Sequence, residues 1–122
     1  MSVISNKVLS LLNELFPKNT RDRIYAEQYI NYKGQKLFFD FYIKELSCYV
    51  ECQGAQHTKF IKHFHGNMDG FYAQKYRDNL KVEYVQSKNM YLIRIYDGEY
   101  IDKDVIMDRI NKAFDSEYNF SD

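Results

Sequence analysis

The chain has 122 residues, which suits one domain and leaves too little for two ordinary ones. Twelve Tyr and nine Phe supply ample apolar volume for a packed core and exclude a disordered chain. Seventeen Lys plus Arg balance seventeen Asp plus Glu, which argues against a protein that coats nucleic acid by bulk charge but is compatible with an enzyme whose carboxylates offset basic residues elsewhere.

Taken in chain order, apolar residues recur at helical spacing through 2–16 (Val3, Ile4, Val8, Leu9, Leu11, Leu12, Leu15), and Pro17 ends that helix. Residues 23–31 are rich in β-formers and read as a strand, with Lys33-Gly34-Gln35 as the turn that follows. Residues 36–43 and 47–53 are two more strands joined by a short corner at Lys44 and Glu45. Residues 54–70 lack a clear period and hold all three histidines, so a long functional loop is expected there. Phe71, Tyr72, Tyr76, Leu80 and Tyr84 predict a second amphipathic helix over 71–86. A short strand over 91–95, the turn Asp97-Gly98 and a helix over 101–114 follow, and the last eight residues read as loose. The expected fold is a single α/β (α+β) domain over 1–122, with order α-β-β-β-α-β-α and a mixed sheet containing an antiparallel hairpin flanked by helices.

Cys48 and Cys52, four apart on one strand, would have Cα atoms roughly 13 Å apart. That exceeds the limit of about 7 Å for a disulfide. Unpaired thiols, the lack of a signal pattern and the lack of a long apolar run predict a cytoplasmic protein that does not enter membranes, in the host cytoplasm if a phage encodes it.

The chemistry-bearing cluster comes from the hairpin. A tip centred between Glu45 and Leu46 sets Asp40 directly opposite Glu51. Paired residues on an antiparallel ladder share a face, and Gln53 falls two residues beyond Glu51 on that same face. Two carboxylates so close repel one another, an arrangement that a divalent cation resolves. Mg²⁺ favours one or two carboxylates plus waters and phosphate oxygens, with Mn²⁺ as a substitute. Asp40 also interrupts an otherwise apolar run, Leu37-Phe38-Phe39-Asp40-Phe41-Tyr42-Ile43, where an aspartate is disfavoured.

That run, followed by Tyr49-Val50-Glu51-Cys52-Gln53-Gly54-Ala55-Gln56-His57, resembles the PD-(D/E)XK nuclease superfamily over roughly residues 23–95. Within it the likeness is to the EDxHD branch, which includes very-short-patch repair endonucleases and phage-type homing endonucleases. The resemblance implies a restriction-endonuclease-like core and a Mg²⁺-dependent endodeoxyribonuclease. Asp40 and Glu51 would hold the metal, Gln53 and His57 would position or activate water, and Asp78 would orient His57 or lie behind it. The superfamily's usual lysine is Gln53 here, so His57 would carry part of its role. The branch's leading Glu, usually on the first helix, is either Glu14 or Glu27, with Glu27 preferred for its nearness to the hairpin.

DNA is the expected partner. Lys59, Lys62, His63 and His65 on the loop, with Lys75, Arg77 and Lys81 on the helix, form the most basic stretch near the site, interleaved with aromatics. Arg94 would meet a phosphate or neutralise a carboxylate. A structural zinc site from Cys52 and the histidines is disfavoured, because paired Cys-x-x-Cys spacings are absent. Double-strand cleavage by so small a chain would need a homodimer or two visits.

Overall fold

The computed structural model describes residues 1–17, 24–54, 66–115 and 120–121. Helix α1 (Val3–Leu15) starts where the Ser2 side chain accepts a hydrogen bond from the Ser5 N–H at 3.1 Å. Val8 and Leu12, one turn apart, bury its inner face, while Val3, read as part of the apolar stripe, is exposed. Strands β1 (Ile24–Tyr32) and β2 (Gln35–Ile43) form a hairpin closed by Lys33 and Gly34, both at positive φ as a tight two-residue loop requires. A 3-10 turn over Lys44–Leu46 leads to β3 (Cys48–Gln53).

Helix α2 (Met68–Ser87) begins three residues before the expected Phe71, because the Asn67 side chain accepts from the Gly70 N–H at 3.0 Å. It carries the chain over to β4 (Tyr91–Tyr96), which runs parallel to β3. Helix α3 (Lys103–Asp115) then returns the chain to β5 (Phe120–Ser121), a short parallel addition at the end expected to be loose. The sheet order is β1-β2-β3-β4-β5, and the fold is mixed α/β.

Two cores flank the sheet. Helices α1 and α3 cover one face over Phe41, Ile43, Cys48, Val50, Ile93 and Ile95. Helix α2 covers the other over Leu37, Phe39, Tyr49 and Leu92, using Leu80, Tyr84 and Val85. Its expected stripe was partly wrong: Tyr72 and Tyr76 are exposed, whereas Asp78 and Lys81 are buried. Among the described residues, no helix is long and apolar enough to cross a membrane.

One break in alternation positions the site. Side chains on a strand alternate faces, so Leu37, Phe39, Phe41 and Ile43 should share one. Instead the first pair joins the α2 core and the second the α1/α3 core. Strand β1 switches with it, for Ile24 packs with the α1/α3 core and Ile30 and Tyr32 with the α2 core. The ladder is interrupted at the same place: Ala26 pairs with Phe41 and Gln28 with Phe39, skipping Glu27 and Asp40. Glu27 takes φ +54°, a left-handed conformation costing a non-glycine residue on the order of 1–3 kcal/mol.

Candidate functional site: two carboxylates on opposite faces

The β2–β3 register has the expected centre, with Phe41 opposite Val50, Tyr42 opposite Tyr49 and Ile43 opposite Cys48. Asp40 and Glu51 nevertheless part company, which corrects the expected shared face. The alternation break turns Asp40 to the α1 side. There its carboxylate accepts the Cys52 N–H at 2.8 Å and the Ser5 hydroxyl at 3.4 Å. Glu51 keeps the regular alternation and turns to the α2 side.

Asp40 opens onto a cavity of about 470 Å³ lined by Ser5, Glu27, Phe38, Cys52, Gly54 and Asp97, with the start of α1. Burial pushes the Asp40 carboxyl above its ordinary range, against the hydrogen bond from Cys52, and the Glu51 charge adds to the rise. The Cys52 thiol beside it is pushed up to about 12, by burial first and the Asp40 charge second. Of the two candidates for the leading Glu, it is Glu27 that lines this cavity. From α1 the group that reaches Asp40 is the Ser5 hydroxyl, while Glu14, near the helix end, is exposed.

Glu51 is 2 % exposed and sits among cations. Lys81 Nζ donates to one of its oxygens, and Arg94 Nε donates to the other at 3.1 Å. Gln53 Nε2 lies 3.5 Å from the same carboxylate, so Gln53 serves Glu51 rather than Asp40. Arg94 also donates to the Asp78 carbonyl at 3.1 Å, tying β4 to α2. Lys81, expected to contact DNA, is a buried ion-pair partner that also lies over the Phe39 ring. Lys75 lies over the Phe71 ring, and Arg77 is half-buried on the same helix. Asp78, expected to orient His57, is buried on this helix. His57, Lys59, Lys62, His63 and His65 lie outside the described residues.

Sequence reasoning missed Asp97 and Ser5. The parallel pairing of Gln53 with Tyr96 sets Asp97 beside Gly54, and the Asp97 N–H donates to the Gln53 carbonyl at 2.8 Å. Glu99 fixes this turn by accepting the Tyr96 N–H at 3.0 Å and both terminal nitrogens of Arg109. The register of β4 against β3 is the signal that would have found Asp97.

The side-chain donors around the cavity are the carboxylates of Glu27, Asp40 and Asp97 and the hydroxyls of Ser2 and Ser5, together with the Cys52 thiol and the Met1 thioether. Among the described residues no three His, Cys, Asp or Glu side chains stand close enough to enclose an ion.

No family model matches the chain. A search of curated proteins finds similarity to "Uncharacterized protein 307L" of Invertebrate iridescent virus 6, 46 % identical over 59 residues. That match covers 48 % of this chain and 30 % of the viral protein.

Proposed function

We propose that the chain is a metal-dependent endonuclease that hydrolyses DNA phosphodiester bonds at the Asp40 cavity. The observation that carries this reading is Asp40 itself. A carboxylate whose ionisation is disfavoured stands where β1 and β2 leave their regular pairing, facing a cavity shared with Glu27 and Asp97. Strain and unfavourable charge at one place mark sites whose geometry serves something other than stability. The element order and the position of Asp40 in its strand resemble the PD-(D/E)XK superfamily, which supports the same reading.

Asp40 is the primary candidate to hold Mg²⁺ or Mn²⁺, with Glu27 or Asp97 as second carboxylate. Such an ion supplies an activated water and neutralises charge on the phosphate. The Cys52 N–H and Ser5 hydroxyl fix the orientation of the Asp40 carboxylate. Glu51 and Gln53, proposed from sequence as ligand and water-positioning group, hold β3 against α2 and β4 from the opposite face. Asp78, proposed behind His57, marks the point where α2 meets Arg94.

Incubation of the purified chain with supercoiled plasmid and with single-stranded circular DNA, in Mg²⁺ or Mn²⁺, tests the proposal. Cleavage abolished by Asp40→Ala is expected. Absence of cleavage of either DNA in either metal, or cleavage that survives the substitution, refutes it.

A second reading is a nuclease-like module that binds DNA without cutting. It is favoured by Glu51, whose carboxylate is engaged by Lys81 and Arg94, and by Gln53 in place of the superfamily's lysine. That reading predicts DNA affinity unchanged by EDTA and by Asp40→Asn.

A further inference from the structure

The outer half of the β1–β2 hairpin displays aromatic surface beside the cavity. The register sets Tyr29 opposite Phe38 and Asn31 opposite Lys36. Residues paired across an antiparallel ladder share a face, and so do residues two apart on one strand. Phe38 lines the cavity with Asp40, so Tyr29, Asn31 and Lys36 belong to the same α1-side face. Along this face Glu27 and Asp40 come first, then Tyr29 and Phe38, then Asn31 and Lys36. Two strand residues advance about 6.6 Å, so the series spans roughly 13 Å.

Tyr29 is 59 % exposed, although its ring is already braced. It packs tilted against Phe38, with ring centroids 5.1 Å apart at 52°. Lys36 Nζ stands 4.7 Å from the Tyr29 centroid. A large ring left in water, held rigid by a second ring and paired with a cation, does little for the core. It has the composition of a base-stacking platform with a phosphate-binding charge at its edge.

We propose that this face is a track for single-stranded nucleic acid, in which an unpaired base stacks on Tyr29, its flanking phosphate meets Lys36, and the strand continues past Phe38 into the Asp40 cavity. The inference rests on the reading of that cavity as a phosphodiester site and adds the substrate class. A duplex hides its base faces in the stack, so the exposed Tyr29 ring selects unpaired nucleotides. Charge complementarity favours a polyanion at the Lys36 end of the track. The acidic end accepts a phosphate once a cation is held there.

Fluorescence anisotropy of a labelled oligothymidylate, compared with a hairpin duplex of equal length, tests this on the full chain in EDTA. Tighter binding of the single strand is expected. Tyr29→Ala should weaken it by about 5- to 150-fold, the equivalent of about 1–3 kcal/mol for one stacked base. Tyr29→Phe should retain binding. Lys36→Ala should reduce the slope of log affinity against log salt by about 0.7. Equal affinity for duplex, no binding at low salt, or an unchanged Tyr29→Ala variant overturns the proposal. Tyr29-dependent binding without cleavage of either supercoiled plasmid or single-stranded circular DNA in either metal sinks the nuclease reading and leaves the track standing. Normal nicking with unchanged Tyr29→Ala affinity does the reverse.

Discussion

Replacing Glu51 by alanine separates a ligand role from an anchoring role. In the anchoring role the carboxylate is the shared counter-charge of Lys81 and Arg94, and both Glu51 and Lys81 are under a tenth exposed. Its removal leaves two cations facing each other in a poorly solvated interior. Breaking a buried pair from one side costs about 3–5 kcal/mol, because the remaining charge loses its compensation. With a urea slope of about 2 kcal/mol/M, the unfolding midpoint should fall by roughly 2 M at pH 7 in EDTA. Lys81→Met should cost less, about 1–3 kcal/mol, since Arg94 still satisfies Glu51. The double variant Glu51→Ala/Lys81→Met removes one charge of each sign. Its loss should fall short of the sum of the singles by more than about 1 kcal/mol. A Glu51→Ala loss below about 1 kcal/mol, or strict additivity, refutes the anchoring role.

Asp40→Asn should raise stability at neutral pH, because the folded state holds the Asp40 proton more tightly than the unfolded chain does. That contribution is present below the ordinary aspartate range and lost as pH rises through the raised folded value, so the variant's advantage in thermal midpoint should shrink toward acid. Glu99 has the opposite sign. Arg109 holds its carboxyl below the usual range, so its stabilisation is present at neutral pH and is lost as pH falls through the lowered value. An acid-melting series of Glu99→Gln should therefore converge on the parent only at low pH. Glu27→Gly should be neutral or stabilising by up to about 1 kcal/mol in urea melts, since it relieves a positive φ. The control Gln28→Gly, at a regularly paired position, should lose about 0.5–1 kcal/mol. Burial pushes both thiols up to about 12, so Cys48 and Cys52 should resist a disulfide reagent at pH 8 until urea unfolds the chain.

The order of elements was legible because it rests on local signals: apolar period in α1, β-rich runs in the meander, and a two-residue turn at Lys33-Gly34. The hairpin register was legible too, since the short corner around Lys44–Leu46 leaves little freedom for pairing. The direction of Asp40 was not. Leu37 to Ile43 is apolar on both sides of the aspartate, so a one-residue slip in alternation leaves no trace in the pattern. The slip also depends on Glu27, thirteen residues earlier, adopting a conformation that the sequence does not announce. Helix α2 misled for a related reason. Its tyrosines mimic an apolar stripe, while its buried face includes Lys81, satisfied by Glu51 on β3 and the Phe39 ring on β2. Arg94 was read as a carboxylate-neutralising group or a phosphate contact, and the structure gives it Glu51.

The two halves of the sequence cluster thus divide their labour across the sheet. On the α2 side, Glu51, Lys81, Arg94 and Gln53 satisfy one another and tie β3, β4 and α2 together. A carboxylate already matched by two cations gains little from a third, and drawing it toward a metal would strand Lys81. On the α1 side, Asp40 has two hydrogen-bond donors but no matched counter-charge of its own in direct contact, and burial opposes its ionisation. A cation held there would relieve an existing cost. Mg²⁺ should therefore raise the thermal midpoint of the parent chain and of Lys81→Met alike, by about 2.7 kcal/mol of stabilisation at a hundredfold excess over its dissociation constant. The shift should vanish in Asp40→Asn, measured by calorimetry at fixed ionic strength. A Mg²⁺ shift that survives Asp40→Asn but disappears in Glu51→Gln would move the metal to the other face of the sheet and overturn this division.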